Sequence, residues 1–236
     1  MTKSTYISVA SLAQRPGVLI TLEGMDGTGK TTQSNLLAEF LNQQGYDVVH
    51  TKEPGSPHNR GCMTIRQAVL APESGLVPKA ELLLMLADRA QHVEEVIFPA
   101  LQRGAIVLSD RFRDSTMAYQ GYGREMNPDL IAQLNDMACS GLVPDMTLFF
   151  FGDVDQCLKR IQGREVLDDF EKEDLEFHQR VNQGFKNCYN ARRDLPDVET
   201  VHVNAKLEIQ MIADYISQRV LMFLKERNLP LPENSQ

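Results

Sequence analysis

From residue 18 to residue 225 the chain alternates between short continuous apolar runs and stretches with apolar residues at helical spacing. A run of four to six apolar residues reads as a strand buried on both faces, and recurrence every three or four residues as a helix with one buried side. Val18-Leu19-Ile20-Thr21-Leu22 is the first strand. Leu36, Leu37, Phe40 and Leu41 predict a helix over 33–44, closed by Gly45. A second strand follows at 47–51, a helix at about 60–70, and a connector at 72–78. The spacing then predicts a long helix over 79–97 with Leu82, Leu83, Leu86, Ala90 and Val93 inward. Ala105–Ser109 is a third strand. Asn127 and Pro128 open a helix that runs to Cys139, proline being suited to a first turn. Met146–Phe151 is a fourth strand, its phenylalanines read as core. Helices at 154–161 and 175–193, a last strand at 200–203 and an amphipathic helix at 206–225 complete the pattern. Strands alternating with helices predict an α/β fold, a doubly wound parallel β-sheet flanked by helices.

The 236 residues suit a single domain over 17–228, preceded by a loose extension at 1–16 and followed by a frayed tail at 229–236. No internal repeat or linker divides it. No apolar run approaches a membrane span, and the first residues lack the apolar stretch of a signal peptide. The four cysteines are scattered without a C-x-x-C pair, which reads as reduced thiols in a cytoplasmic protein. A net charge of −8 disfavours a nucleic-acid polymer as partner, while local arginines still allow a small anionic ligand.

Candidate chemistry concentrates behind the first strand. Gly24-Met25-Asp26-Gly27-Thr28-Gly29-Lys30-Thr31-Thr32 fits G-x-x-x-x-G-K-[ST], with strand before and helix after as a phosphate-binding loop requires. Lys30 supplies positive charge for the outer phosphates of a bound ligand and Thr31 a hydroxyl for Mg²⁺. The third strand runs into Asp110-Arg111-Phe112. An acid leaving a buried strand beside a phosphate loop suits a magnesium ion, and the adjacent arginine suits a phosphate. The same two residues also fit an ordinary strand-end ion pair. A charged stretch from Lys159 to Glu171 is either a solvated face or a lid at about 160–172. His50, His58, His92, His178 and His202 show no metal spacing and are expected at the surface or in packing.

Leu108-Ser109-Asp110-Arg111-Phe112, Ser115-Thr116 and Ala118-Tyr119-Gln120-Gly121 resemble the signature of the thymidylate kinase family. Glu23-Gly24-x-Asp26-Gly27-x-Gly29-Lys30-Thr31-Thr32-Gln33, Glu53-Pro54-Gly55, Ala87-Asp88-Arg89-Ala90-Gln91, Pro144-Asp145 and Leu158-Lys159-Arg160 agree in order. The resemblance implies a P-loop NTPase fold with a short lid that phosphorylates dTMP to dTDP with ATP and Mg²⁺, in dTTP biosynthesis, as a homodimer. By position it implies that the loop from Gly24 through Gly27, Thr28, Gly29 and Thr32 binds ATP, with Lys30 and Asp26 at the transferring group. Thr31 and Asp110 would hold the metal. Arg111 would grip the acceptor phosphate, with Arg66 or Arg60. Arg89 and Thr116 would meet the thymine ring, Tyr119 would crowd the 2′ position, and Glu53, Met85, Ser115 and Gln120 complete the substrate site. With no arginine in the phosphate loop, the chain resembles the bacterial type whose catalytic arginine lies in the lid, here Arg160 or Arg164.

Four positions depart from that pattern. Leu167-Asp168-Asp169-Phe170-Glu171 has an acid, Asp169, where a base is usual, which places negative charge close to the transferring phosphate. The loop after Glu53 is about two residues longer, Phe151 replaces an acid with Asp153 two residues on, and Met85 replaces an aromatic ring. A kinase for another nucleoside monophosphate and a catalytically weak nucleotide switch are the competing readings. A nucleoside kinase would need a carboxylate base, for which Glu53 is the candidate.

Overall fold

The computed structural model describes residues 15–71, 74–163, 167–195 and 199–229. Five parallel strands form one sheet in the order β2-β3-β1-β4-β5. They are β1 (Val18–Glu23), β2 (Val48–Lys52), β3 (Ile106–Asp110), β4 (Met146–Phe151) and β5 (Glu199–Asn204). Between and after them run α1 (Lys30–Gln43), α2 (Arg60–Val69), α3 (Pro78–His92), α4 (Phe98–Gln102), α5 (Arg113–Thr116), α6 (Pro128–Ala138), α7 (Val154–Gln162), α8 (Leu175–Arg192) and α9 (Ile209–Glu226).

The period of two along β1 and β4 builds a core on each side of the sheet. Val18, Ile20, Leu22, Met146, Leu148 and Phe150 point to one face, where Leu37 and Leu41 of α1 and Ile212, Ile216, Val220 and Phe223 of α9 cover them. Leu19 faces the opposite side with Val93, Ile97, Leu101 and Phe112. Phe149 joins Tyr119, Phe177, Val181 and Phe185 on that side. Side-chain caps start several helices. Asn59 accepts from Cys62 N, Asn127 from Asp129 N and Leu130 N, and Asp174 from Phe177 N, each satisfying a backbone donor that the first turn leaves open. Asp153 does the same for Gln156 N at the start of α7.

Two stretches differ from the periodic pattern. The expected helix over 79–97 is α-helical only to His92, and Val93–Ile97 then forms a π-helical turn that leads into α4. Leu83, expected inward, is 54% exposed. It lies a quarter turn from Leu82 and Leu86, which do pack inward against Ile131 and Ala138 of α6. Residues 113–123, to which the pattern assigned no element, form α5 and a second π-helical stretch, Met117–Gly123. π-Turns break the 3.6 period and recur at functional sites, and this one carries Tyr119 and Gln120.

Residues 1–14 and 230–236, most of the expected extension and tail, lie outside the described residues. Arg15 is tied down: its Nη2 donates to Asp145 Oδ2 at 2.8 Å, and the same oxygen accepts from Leu19 N at 2.8 Å. Among the described residues no helix is long and apolar enough to cross a membrane.

Candidate active site

Strand order places the chemistry. β1 and β3 are neighbours with Leu22 opposite Asp110, so the phosphate loop leaving β1 and the Asp110-Arg111 pair leaving β3 emerge side by side at the carboxyl edge. Open α/β sheets bind their ligands at that edge. Within the loop, Gly27 has φ of 79°, and a Cβ there would lie 2.3 Å from Cys157 O, so only glycine fits under α7. Lys30 is buried at the start of α1 and donates to Met25 O at 2.9 Å, as does Thr28 Oγ1 at 2.8 Å. Burial, and then the charge of Arg111, lower the Lys30 ammonium to a pKa of about 8. Thr31 Oγ1 donates to Asp110 Oδ2 at 2.5 Å.

Asp110 and Arg111 do not form the strand-end ion pair that their spacing also allowed. The partner of Arg111 is Asp26 of the phosphate loop, Nη2 to Oδ1 at 2.6 Å. Arg111 Nη2 also donates to Tyr119 Oη at 3.2 Å, and Nη1 to Gly24 O at 3.1 Å and Ser115 Oγ at 3.0 Å. Tyr119 Oη in turn donates to Asp26 Oδ2 at 2.6 Å. Burial acts to raise the Asp26 carboxyl, yet Arg111 and then Lys30 hold it well below the usual carboxylate range. The backbone of Arg111 has φ of 77°, a left-handed conformation that costs a non-glycine residue about 1–2 kcal/mol. Strain of this kind persists where the surroundings over-determine it, and here Asp26, Tyr119, Gly24 and Ser115 do so. Behind them the fully buried Glu23 accepts from Phe112 N at 2.9 Å and Ser115 Oγ at 2.6 Å. Burial and the charge of Asp114 push its carboxyl up to about 7.

Arg89 of α3 forms the far end. Its Nε donates to Glu53 Oε2 at 2.8 Å, Nη1 to Thr116 Oγ1 at 2.7 Å and Asn135 Oδ1 at 2.6 Å, and Nη2 to Phe112 O at 2.9 Å. Glu53 Oε1 meets His92 Nδ1 at 2.9 Å, and His92 Nε2 meets Thr51 Oγ1 at 2.8 Å. Glu53 is therefore no free base. Burial works to raise its carboxyl, but the Arg89 charge outweighs that and holds it below the usual range. Asp88 accepts from Gly55 N with both oxygens, at 3.1 and 3.0 Å, and burial followed by Glu53 raises it to about 6. Gly55, with φ of 87°, packs so closely on Arg66 that a Cβ would lie 2.4 Å from its Cδ. Arg66 Nη1 donates to Pro54 O at 2.6 Å.

These groups surround one cavity of about 230 Å³. Asp26, Lys30, Thr31, Glu53, Arg66, Met85, Arg89, Asp110, Arg111, Ser115, Thr116, Tyr119 and Gln120, all expected from sequence, line it. Of the two arginines, Arg66 lines the cavity and Arg60 is exposed at the start of α2. Gly24, Gly27, Thr28, Gly29 and Thr32 lie along the loop outside this lining. Arg160 is exposed on α7 and donates to Gly27 O at 3.0 Å. Arg164 lies outside the described residues. Asp169 does not face the cavity as expected. Its Oδ2 accepts from Ser74 N and Ser74 Oγ, both at 3.2 Å, while Asp168, Phe170 and Glu171 line the cavity. Sequence reasoning passed over Lys52, Leu70 and Asp88 in the wall, and His92 and Asn135 behind it. Their one signal is position, since Asp88 and His92 flank Arg89 on α3.

Asp110 and Thr31 offer hard oxygen donors at one point, and among the described residues no group of three or more His, Cys, Asp or Glu converges. Such a pair suits a magnesium ion that takes its other oxygens from phosphates and water.

The model of the thymidylate kinase family matches residues 22–216. A thymidylate kinase of an Exiguobacterium species is 43% identical over 201 residues, spanning 85% of this chain and 92% of that protein. The thymidylate kinase of Maridesulfovibrio salexigens is 46% identical over 217 residues, with 85% and 99% covered. The crystal structure of thymidylate kinase from Ehrlichia chaffeensis superposes with a TM-score of 0.68 at 33% identity, covering 86% of this chain and 98% of that one.

Proposed function

The chain belongs to the thymidylate kinase family and phosphorylates dTMP to dTDP, and from that premise we propose how its residues divide the reaction with ATP and Mg²⁺. The observation that carries the assignment is the cavity whose lining brings together the Thr31–Asp110 pair with Lys30, the Arg89–Thr116 pair, and Arg111.

The phosphate loop and the first turn of α1 receive the ATP phosphates, with Lys30 at the outer ones. Thr31 and Asp110 would hold the metal, which would supply neutralising charge and orientation to the donor phosphates. Arg111, braced by Asp26 and Tyr119, presents its fork to the acceptor phosphate, and Arg66 supplies a second positive charge. Arg89 and Thr116 offer polar contacts to the base. All the N–H groups of Arg89 already point at protein oxygens, so a base oxygen shares one of them. Tyr119 stands against the sugar, and Arg160 reaches from α7 over the loop toward the donor. A phosphate monoester has a second pKa of about 6, so the acceptor oxygen is ionised at neutral pH and no base is required. Catalysis is then alignment and charge neutralisation, which suits a site whose one well-placed carboxylate beside the base, Glu53, is tied to Arg89 and His92.

A second copy of the chain is the proposed partner. α3 and α6 pack along a seam of Leu82, Leu86, Ile131 and Ala138, and their outer side carries exposed Val77, Leu83, Leu130 and Met137. Exposed apolar side chains on two packed helices suit a two-fold interface between identical subunits. Four free cysteines, all buried, fit the reducing cytoplasm.

A coupled ADP-release assay over a panel of nucleoside monophosphates tests the assignment. Turnover that requires both dTMP and Mg²⁺ is the expected result. Equal rates across the panel, or hydrolysis indifferent to dTMP, would overturn it.

A further inference from the structure

Phe170 is the one phenylalanine among the described residues that line the cavity. It is 6% exposed and lies edge-on to Tyr119, ring centroids 5.8 Å apart at 88°. The turn that carries it is closed from within by a reciprocal pair, Asp168 N to Glu171 Oε2 at 3.2 Å and Glu171 N to Asp168 Oδ1 at 2.9 Å. Lys172 N donates to Asp168 O at 3.2 Å and Glu173 N to Phe170 O at 3.3 Å. These bonds set its shape but not where it sits over the cavity.

Two outside attachments fix the turn over the acceptor side. Asp169 Oδ2 receives Ser74 N and Ser74 Oγ from the connector between α2 and α3. Arg124, just past the π-helical stretch, donates to Glu173 and to Glu81 Oε2, the latter at 3.0 Å. Its Cζ lies 5.6 Å from the Phe170 ring centroid and 4.9 Å from that of Phe177. Glu81 stands one turn before Met85 on α3 and also accepts from Gln120 Nε2 at 2.9 Å. One guanidinium thus joins the turn under Phe170 to the two elements that carry Met85 and Gln120.

We propose that Phe170 gives the acceptor nucleoside an aromatic face in a pocket where α3 offers only Met85, and that Asp169 and Arg124 are positioning residues that hold it there. The acid at 169 then has a specific task, anchoring the turn at Ser74, away from the transferring phosphate. This inference rests on the reading of the cavity as a dTMP site. It places Asp169 and Arg124 in control of acceptor affinity, with the ATP side left alone.

The test is steady-state kinetics and equilibrium dTMP binding on the full chain. Phe170→Leu, Asp169→Ala and Arg124→Met should each raise the dTMP Kd and KM about three- to tenfold, with the ATP KM within about twofold and kcat little changed. Asp169→Asn, which keeps an acceptor for Ser74, should restore most of the affinity. Arg124→Met added to Phe170→Leu should cost little more than Phe170→Leu alone, since both act through one ring. If Arg124→Met fails to fold, Arg124→Lys takes its place, keeping the charge for Glu81 and Glu173 while losing the planar stack. Unchanged dTMP affinity in Phe170→Leu and Asp169→Ala overturns the inference, as does full additivity in the double variant. A wild-type enzyme that ignores dTMP overturns the underlying reading instead, so the two failures are distinguishable.

Discussion

Arg111 leaves the end of β3 and holds Asp26 of the phosphate loop, Nη2 to Oδ1 at 2.6 Å. The contact joins the ends of β1 and β3, the two strands that carry the phosphate loop and the Asp110-Arg111 pair. It keeps a guanidinium aimed inward against like charge from Lys30, at the cost of a strained backbone. Asp26 therefore acts as the counter-ion that keeps two cations side by side before any nucleotide arrives.

Arg111→Lys tests the fork geometry with the charge retained. A lysine cannot meet Asp26, Tyr119 and a phosphate together. We expect kcat/KM for dTMP to fall by about 100-fold or more, equivalent to roughly 2.7 kcal/mol, with ATP affinity changed far less. A loss under fivefold would show that Arg66 carries the acceptor phosphate alone.

Lys30 should make ATP binding pH-dependent. Its pKa of about 8 in the nucleotide-free protein rises when phosphates arrive, because the bound state favours the charged ammonium. Affinity for ATP is then level below about pH 8 and falls as pH rises above it, by up to about tenfold per unit. Lys30→Met should bind ATP weakly with that fall removed, and turnover should be nearly abolished. Isothermal titration from pH 7 to pH 9.5 reads the slope, and an identical slope in the variant refutes the assignment.

Glu23 should leave a mark on stability. Its folded-state pKa is raised to about 7 from 4.5, so the native protein binds more protons than the unfolded chain between those values. The stabilisation from protonated Glu23 is fully present below about pH 4.5 and is lost as pH rises through about 7. Glu23→Gln, the neutral isostere of the protonated carboxyl, should therefore match wild type near pH 4.5 and rise above it in Tm as pH climbs through about 7. A constant difference would mean that Glu23 is ionised throughout.

Met85 lines the cavity one helical turn from Arg89. A thioether packs against a ring less firmly than an aromatic does. Met85→Phe should tighten dTMP by roughly fivefold to thirtyfold, about 1–2 kcal/mol, with little change in the KM for ATP. Weaker binding of dTMP would show that the space beside Phe170 is already filled.

The exposed face of α3 and α6 predicts the oligomeric state. A stable interface needs about 800 Å² on each partner, and a charge placed in its centre is poorly tolerated. Met137, 70% exposed in the single chain, is the most sensitive probe. Met137→Asp should sediment as a folded monomer at concentrations where wild type is a dimer. A wild-type monomer at high concentration would remove the proposal.

Much of the fold was legible because burial on both faces writes strands as unbroken apolar runs, as in Val18–Leu22 and Met146–Phe151, and because the glycine-rich loop sits between a strand and a helix. The π-turns were not, since an extra residue per turn shifts the apolar period that predicts a helix. Leu83 was misplaced for a related reason: three consecutive leucines leave the buried side of α3 undefined until α6 is known. Within the site, charge and motif pointed to Lys30, Asp110 and Arg111. The partners that orient Arg89 come from four separate segments, and no local spacing could announce that Asn135 would meet it or that His92 would hold Glu53 from behind. Asp169 looked like an acid near the phosphates because sequence position carries no direction, and the structure turns it to Ser74.

The adjacency of β1 and β3 also governs where this chain can change length. Leu22 stands opposite Asp110, so the strand ends that lead into the phosphate loop and into Arg111 are separated by one strand spacing of about 4.8 Å, set by backbone hydrogen bonds. One residue inserted within β3 would swing Asp110 and Arg111 to opposite faces and undo both ends of the site at once. The stretch after Gly55 is not tied to the sheet register: Asn59 caps α2 and moves with it, His58 makes a single side-chain contact to His50 O at 2.9 Å, and Arg66 is held by Pro54 O and by packing on Gly55 whatever the length of the chain between. Insertions and deletions can therefore accumulate around residues 57–59, while the lengths of the phosphate loop and of β3 stay locked together.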